Sequence, residues 1–325
     1  MGSSNGDARR LLTKPTVAML PRVADSLSFL YLENVRVTQD DTGVCAQVQH
    51  QDGSTGRVYL PVAALSCVLL GTGTSATNPA MATFARHGAS VLWTGAGVVR
   101  LYSGSQPSDL TTDWLERQAR AWADDTSRLA VAARMYEIRF GMSVPPGTTL
   151  QRLRGLEGQR MKTLYQSLAT RHRIRGFRRN YNPENWDAQS AVNQALSAAN
   201  TALYGAVHSA ILALGCTTAL GFIHSGKQHS FVYDIADLYK ATHTIPMAFS
   251  LHKHTNADRE ARRRLRENFR LYRLMPRIVR DIQELLAPEM SADLDDPDEV
   301  ELVHLWDPDL GSVQAGVNHA SEVDW

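Results

Sequence analysis

The stretch Ser103-Gly104-Ser105-Gln106-Pro107-Ser108 separates two parts of the chain that have different hydrophobic periods. Small and turn-forming residues dominate it, so we interpret residues 104–110 as a linker. Before it, apolar residues alternate with polar ones, which is typical of strands. After it, apolar residues recur every three or four positions, which is typical of helices. The sequence therefore predicts an α+β protein, with a β domain followed by a mainly α-helical domain.

The domain boundaries follow from the same change of pattern. We expect a flexible leader over residues 1–19, a β domain over residues 20–103, a helical domain over residues 111–290 and an acidic flexible tail over residues 291–325. Within the β domain, Asp52-Gly53 predicts a hairpin. Helices are predicted over residues 79–87, 114–140 (one or two helices), 150–170, 192–214, 231–240 and 258–286, with a kink at Pro276 in the last.

The charge distribution favours a polyanionic partner. The net charge is only +1, but residues 281–325 carry 13 of the 33 acidic residues and none of the 34 basic ones. A basic body beside an acidic tail is typical of nucleic-acid-binding proteins. An arginine-rich helix over residues 259–280 is predicted to contact DNA phosphates, through Arg262, Arg263 and Arg266 in particular. A solvated charged face is the alternative interpretation of such a run.

Several classes of protein are disfavoured. No apolar run approaches the roughly 18 residues needed to cross a membrane. The three cysteines are widely spaced, which fits neither a disulfide framework nor a zinc site and favours reduced thiols in a cytoplasm. The segment Gly71-Thr72-Gly73-Thr74-Ser75-Ala76 matches a dinucleotide-binding pattern, but no acidic residue follows the next strand to bind a ribose. We therefore do not expect an oxidoreductase.

One predicted helix carries a carboxylate where an apolar side chain is expected. Glu157 lies four residues after Leu153 and four before Met161, inside the apolar stripe of its helix. A buried carboxylate without a partner costs several kcal/mol, so a cation or strong donors must compensate it. A metal ion and an ion pair with Arg154 or Arg160 explain this residue equally well.

A second polar cluster follows about 70 residues later. His224 lies in a glycine-containing loop, and Asp234 and Asp237 are three positions apart on the next helix, where they share a face. Two carboxylates and an imidazole suit Mg²⁺ or Mn²⁺. Two such aspartates alone more often mark a solvated face. Joined with Glu157, they form a plausible four-ligand catalytic metal site.

The long helix predicted over residues 192–214 adds a row of polar residues, Asn193, Ser197, Asn200, Tyr204 and His208. These side chains would either orient the metal ligands and contact a DNA strand or form ordinary hydrogen bonds between helices.

Four short blocks resemble, in order, the conserved blocks of the CRISPR-associated integrase family (Cas-one). They are Arg154-Gly155-Leu156-Glu157-Gly158, Asn193 with Leu203-Tyr204, Gly221-Phe222-Ile223-His224 and Tyr233-Asp234-Ile235-Ala236-Asp237. Ile223-His224-Ser225-Gly226-Lys227 is most similar to the type I-E branch. The resemblance extends from about Arg22 to Leu286.

This resemblance implies an N-terminal β-sandwich-like domain, a helical catalytic domain and a homodimer. It also implies a heterohexamer in which two integrase dimers flank one dimer of a small partner, Cas-two. The metal ligands of the family correspond to Glu157, His224, Asp234 and Asp237. The tail is more acidic than the resemblance leads one to expect, and residues 298–306 would either add to a sheet edge of the partner or stay in solvent.

The resulting hypothesis is a cytoplasmic prokaryotic enzyme that inserts foreign DNA fragments at the leader–repeat junction of a CRISPR array. The 3′-hydroxyl of the fragment would attack a backbone phosphate, with metal assistance. Lys227 would neutralise the phosphate, and Tyr204 and Tyr233 would position the DNA. A stand-alone metal-dependent nuclease acting on branched DNA and a DNA-binding scaffold without catalysis are the alternatives.

Overall fold

The computed structural model describes residues 16–19, 27–49, 54–108, 110–179, 190–267, 270–288, 303–307 and 311–316. Its N-terminal strands are β1 (Thr16–Met19), β2 (Phe29–Glu33), β3 (Arg36–Gln39), β4 (Val44–Gln49), β5 (Thr55–Tyr59), β6 (Cys67–Leu70), β7 (Ser75–Ala76), β8 (Ser90–Thr94) and β9 (Leu101–Ser105). Helix α1 (Asn78–Arg86) lies between β7 and β8. The strands form a five-stranded sheet in the order β1-β2-β6-β8-β9 and a four-stranded sheet in the order β5-β4-β3-β7.

The five-stranded sheet is buried on both faces. Leu30 and Val68 face an apolar core shared with the four-stranded sheet and α1. Phe29 and Leu69 face a second core shared with the helical domain. This double burial explains why every residue of β2 is buried and the strand lacks polar alternation. The predicted α+β class, with a β-sandwich-like domain before a helical one, is confirmed.

Two details of the β domain differ from the sequence-based expectations, and a third agrees with them. Residues 16–19, expected in a flexible leader, form β1 and pair antiparallel with β2. Strand β9 extends to Ser105, inside the expected linker, because it completes the sheet beside β8. The predicted hairpin joins β4 and β5, which pair antiparallel, although Asp52-Gly53 itself lies outside the described residues.

The helical domain contains α2 (Asp113–Ala123), α3 (Asp125–Phe140), α4 (Leu150–Arg171), α5 (Ala191–Ala213), α6 (Ser230–Tyr239), a π-helical turn (Lys240–Thr244), α7 (Ile245–Ser250), α8 (Ala257–Arg266) and α9 (Arg270–Leu286). Helix α5 lies at the centre and contacts α6, α7, α8 and α9. Alanines dominate its buried positions, so neighbouring helices approach closely on several sides.

The structure decides one helix boundary that the prediction left open and differs from the prediction at another. The predicted 114–140 segment divides at Asp124, whose side chain accepts a hydrogen bond of 2.7 Å from the Ser127 backbone N–H and caps α3. The predicted 258–286 helix is broken between Arg266 and Arg270, and Pro276 lies within α9. The break lets Ala261 of α8 and Ile278 of α9 both enter the core.

The acidic tail, expected to be flexible throughout, contains a two-stranded hairpin. Strands β10 (Val303–Asp307) and β11 (Gly311–Gly316) pair antiparallel, and β11 contacts β1. One edge of β10 is therefore already paired within the chain. Residues 298–302 lie outside the described residues, and addition of residues 303–306 to a partner sheet would have to use the other edge of β10.

At Gly205, helix α5 lies directly against the backbone of the β domain, and we expect Gly205→Ala to destabilise the protein. A Cβ there would lie 2.5 Å from the Arg100 backbone nitrogen and 2.6 Å from the Val99 carbonyl carbon, which cannot move independently. The free energy of unfolding, measured by urea denaturation, should fall by about 1–3 kcal/mol. Gly155→Ala on α4 is the control, because a Cβ at Gly155 would lie in open space. This substitution should raise the free energy of unfolding by about 0.5–1 kcal/mol. Equal effects of the two substitutions would contradict the close approach.

Candidate active site

A cleft of about 970 Å³ opens between α4 and the α5–α6 side of the helical domain. Its lining includes four cationic and two acidic side chains: Arg139, Arg160, Arg179, Lys240, Glu157 and Asp237. Two of the four sequence-predicted ligands therefore line one cleft that is rich in positive charge.

Glu157 is compensated by an ion pair from a neighbouring helix. Its side chain is 22% exposed and contacts the guanidinium of Arg139, which comes from α3. The hydroxyl of Tyr136 donates a hydrogen bond of 3.2 Å to Oε2 of the same carboxylate. The ion-pair interpretation of this residue thus describes the present structure, but the arginine is neither Arg154 nor Arg160.

Asp237 is held between two cations. Its Oδ2 lies 3.7 Å from the Arg139 guanidinium, and its Oδ1 lies 2.5 Å from Nζ of Lys240. The π-helical turn begins at Lys240 and directs that side chain along the cleft, where its ammonium lies 4.9 Å from the ring centre of Tyr204. Burial alone would lower the pKa of Lys240, but Asp237 and Tyr204 outweigh it and the pKa is raised. Glu157, Arg139, Asp237 and Lys240 form a balanced cluster of two negative and two positive charges.

Asp234 holds the loop that carries His224. The carboxylate is fully buried. Its Oδ2 accepts hydrogen bonds from the backbone N–H groups of Phe222 (2.6 Å) and Ile223 (3.0 Å). Its Oδ1 lies 2.9 Å from the backbone nitrogen of His224 and 2.6 Å from Nδ1 of the same residue. Four donors match the roughly four lone pairs of a carboxylate, so Asp234 has no remaining capacity for a metal ion in this arrangement.

His224 is orientated by that contact. When Nδ1 donates to Asp234, Nε2 becomes the unprotonated nitrogen and can accept a proton or bind a metal. The side chain of His224 is 45% exposed, which leaves Nε2 accessible. This pairing of a carboxylate with an imidazole is the usual way in which proteins orient a metal-binding histidine.

The four predicted ligands form two pairs instead of one cluster. Glu157 and Asp237 share Arg139, whereas His224 and Asp234 bond to each other. Within the part of the chain that the structure describes, no three His, Cys, Asp or Glu side chains are arranged to hold a metal ion. The donor types nevertheless fit Mg²⁺ or Mn²⁺, because two carboxylates from separate helices converge on one cation. A metal would have to take the place that Arg139 now occupies.

Aromatic rings form a row beside the cleft. The ring centres of Tyr204 and Tyr233 are 5.1 Å apart, and His224 lies 5.8 Å from Tyr233. The ring of His229 packs against Tyr233 and continues the row. The ring centre of His208 lies 5.0 Å from that of His229. Burial, together with His229, lowers the pKa of His208 to about 4, so its ring is neutral near pH 7. The structure therefore places Tyr233 next to His224 and Tyr204 next to Tyr233.

The polar row of α5 is used in two ways. The side-chain oxygen of Asn193 accepts a hydrogen bond of 3.0 Å from Arg179, and Ser197 lies 3.3 Å from the same guanidinium. These contacts hold a cation at the cleft. The side-chain oxygen of Asn200 instead accepts a hydrogen bond of 2.6 Å from the Thr244 hydroxyl. This contact fits the alternative interpretation of the row, an ordinary hydrogen bond between helices.

Two of the arginines predicted to contact DNA are engaged by acidic residues of their own helix. Arg262 pairs with Asp258, four residues earlier. Arg263 pairs with Glu260 at 2.6 Å and also contacts Glu267. These contacts favour the solvated-face interpretation of α8. Lys227, by contrast, is exposed in the loop that precedes α6, close to His224 in sequence.

Arg266 lies at the junction of the two domains. Its guanidinium is half-buried near the Glu33 and Tyr31 side chains of β2. Gly97, which has a φ of +60°, packs directly against it and donates its N–H to the Tyr31 hydroxyl at 2.8 Å. Burial raises the pKa of Glu33, an effect that the positive charge of Arg266 opposes. These contacts favour a structural role for Arg266 over the predicted DNA contact.

Arg139 and Lys240 were missed in the sequence. Arg139 follows Ala132, Met135 and Tyr136 at helical spacing, so it belongs to the buried face of α3. A charged residue at an apolar position of a helix is the same signal that identified Glu157. A cation and a carboxylate, each within an apolar stripe, are natural partners when their helices pack together.

Comparison with known proteins identifies relatives over nearly the whole chain. The family model described as CRISPR associated protein Cas1 matches residues 140–272. A CRISPR-associated endonuclease Cas1 from Clostridium sp. is 36% identical over 93% of this chain and 99% of its own length. A second, from Thermus thermophilus, is 39% identical over 93% of both chains. The Escherichia coli K12 relative is 36% identical over 71% of this chain and 76% of its own.

Solved structures agree with these relatives. A crystal structure of a TtCas1–DNA complex superposes with a TM-score of 0.74 at 40% identity, over 82% of this chain and 99% of that one. A Cas1 protein from Thermotoga maritima superposes with a TM-score of 0.53 at 15% identity, over 80% and 96% of the two chains. The second likeness concerns the fold alone.

The saturated carboxylate of Asp234 generates a prediction about stability. Asp234→Ala would leave three buried backbone N–H groups and the His224 ring without their acceptor. We expect the free energy of unfolding to fall by about 3–5 kcal/mol, as for other broken buried pairs. Glu116→Ala removes an exposed carboxylate paired with Arg120 and should change it by less than about 1 kcal/mol. Unchanged stability of Asp234→Ala would show that the loop does not depend on this carboxylate.

Proposed function

The chain belongs to the Cas1 family of CRISPR-associated proteins, and from this premise we propose that it is a metal-dependent DNA integrase. Its relatives are named endonucleases, which makes DNA strand chemistry the natural class of reaction. In our proposal, the 3′-hydroxyl of a foreign DNA fragment attacks a backbone phosphate at the leader–repeat junction of a CRISPR array. One phosphorus–oxygen bond forms, another breaks, and the leaving strand takes the proton. No side-chain nucleophile is required.

The observation that carries this proposal is the convergence of Glu157 and Asp237 in a cation-lined cleft. Two carboxylates would repel a DNA phosphate unless cations offset them. Arg160 and Arg179 on the cleft wall add positive charge beyond the balanced cluster. A polyanion is therefore attracted to a place where carboxylates are also available, which is the combination that phosphoryl transfer requires.

Glu157, Asp237 and His224 would hold the metal ion. Asp234, the fourth ligand predicted from the sequence, would act through His224, because its oxygens are committed to four donors. When bound, Mg²⁺ or Mn²⁺ would favour deprotonation of the attacking hydroxyl and offset charge on the phosphate. The relatives support this class of chemistry through their names, and the ion itself is part of our proposal.

Residues around the cleft would position the DNA. Lys227 is exposed near His224 and would neutralise a phosphate oxygen. Tyr204 and Tyr233 lie edge to face at the side of the cleft and would contact sugars or bases. The relative named TtCas1 has been solved with DNA, which supports a DNA substrate here.

The assembly is proposed by family resemblance. We infer a homodimer and a heterohexamer with the small Cas-two partner, and the type I-E assignment stays a prediction.

No described helix is both long and apolar enough to cross a membrane. The prokaryotic cytoplasm, where CRISPR arrays lie, is the proposed location.

A strand-joining assay tests the reaction. A labelled fragment with a 3′-hydroxyl should be joined to a leader–repeat duplex, and the same fragment ending in 3′-hydrogen should not. Glu157→Gln should reduce joining by at least about 100-fold, because it removes a ligand charge while keeping the side-chain shape. Glu116→Gln, on the exposed surface of α2, is the matched control and should leave joining unchanged. Cut product without joined product would favour the stand-alone nuclease, and neither product would favour the scaffold.

The salt dependence of DNA binding locates the residues that neutralise phosphates. The cleft arginines Arg160 and Arg179 are exposed, whereas Arg262 and Arg263 are paired with acids of α8. Changing Arg160 and Arg179 together to Gln should reduce the slope of log K against log salt by up to about 1.8, roughly 0.9 for each phosphate that is no longer neutralised. The matched double variant of Arg262 and Arg263 should change the slope far less. A larger change of slope for the Arg262 and Arg263 variant than for the Arg160 and Arg179 variant would indicate that the DNA binds on α8.

A further inference from the structure

Arg139 is a cation in the position where a divalent ion would be expected. It lies between Glu157 and Asp237, contacting the first and 3.7 Å from the second. Its own side chain is only 9% exposed, so the charge is almost fully removed from water. Such a charge is stable only while the two carboxylates accept it.

The guanidinium of Arg139 is incompletely bonded. Its Nη1 is buried and has no hydrogen-bond partner among the described residues. An arginine offers five N–H donors in a planar fork, and a buried donor without an acceptor costs about 1–3 kcal/mol. The ring of Tyr136, whose centre lies 5.3 Å from the guanidinium carbon, contacts the cation through its π-face. Arg139 is therefore held mainly by its charge interactions with Glu157 and Asp237, and its Nη1 donor is available to an anion.

We propose that Arg139 is a shared cation that alternates between the carboxylates and the DNA. In the ion-free site it neutralises Glu157 and Asp237. When a divalent ion takes those carboxylates, the like charges repel and the guanidinium is released toward the cleft, which it already lines. There its fork binds a phosphate of the DNA, for which arginine geometry is well suited. This inference rests on the proposed function, since it requires an ion at Glu157 and Asp237.

Ion affinity without DNA provides the first test. Mn²⁺ binding to the full chain, followed by the decrease of the free-ion EPR signal, should be at least about tenfold tighter for Arg139→Gln, because a competing positive charge has been removed. Arg160→Gln is the matched control. It removes the same charge from the same cleft, but its guanidinium bonds the Phe140 carbonyl and neither carboxylate, so its affinity should stay within about twofold. Arg139→Lys keeps the charge and should remain close to the unmodified protein.

DNA affinity provides the second test. With Ca²⁺ as the bound ion, Arg139→Gln should weaken duplex binding by about tenfold, the value of one charged hydrogen bond. In EDTA, where the guanidinium stays on the carboxylates, the double variant Arg139→Gln/Glu157→Gln, which removes one positive and one negative charge, should bind DNA as the unmodified protein does.

The outcomes separate the two proposals. If the unmodified protein binds no Mn²⁺, or if Glu157→Gln leaves Mn²⁺ binding unchanged, the proposed metal site is wrong and the shared cation is wrong with it. If the ion binds at Glu157 but Arg139→Gln and Arg160→Gln have equal affinities, only the shared cation is overturned. If Arg139→Gln does not fold, a lysine variant that binds Mn²⁺ tenfold tighter than the unmodified protein would overturn the proposal, because its charge is retained.

Discussion

A carboxylate inside the apolar stripe of a helix needs a cation or a full set of hydrogen-bond donors, and the helical half of this fold depends on that constraint. Glu157 and Asp237 obtain cations from α3 and from the π-helical turn. Asp234 obtains three backbone N–H groups and an imidazole. These solutions tie α3, α4, α6 and the loop around residue 223 to one another, since separating any pair would leave a buried charge unmatched. The apolar contacts of α5 supply stability, and the polar contacts fix how the surrounding helices meet.

The sequence predicts the two-domain organisation well because it is encoded in long periodic segments. The helix around Glu157 was expected over residues 150–170 and observed over Leu150–Arg171. The pairing of strands was harder to predict from the sequence. Residues 29–37 read as one strand-like segment in the sequence, yet Asn34, with a φ of +55°, divides them between two sheets. Because β2 is buried on both faces, it has no polar alternation that would indicate which sheet it joins.

The candidate site shows the same division between local and tertiary information. Glu157 is identified by its position in a stripe, which is a local property. Asp234 and Asp237 share a helical face and look equivalent in sequence, but a loop folds over the first and the cleft opens beside the second. No spacing rule distinguishes them, because the loop conformation is tertiary. The arginines of α8 are a different case. Asp258 and Glu260 lie one helical turn away, so intrahelical pairing was readable from the sequence.

The charge balance of the cleft connects stability with function. Two carboxylates and two cations cancel at its centre, which avoids the cost of burying unmatched charges in the folded protein. The cleft wall keeps a positive excess through Arg160 and Arg179, and this excess would attract the proposed DNA substrate without requiring the central cations. A site built only for stability would satisfy every donor of Arg139, and a site built only for phosphate would not place that arginine between carboxylates. The incomplete bonding of Arg139 is what an exchangeable cation requires, because the interactions that hold the resting protein together must be weak enough to be replaced when the substrate arrives.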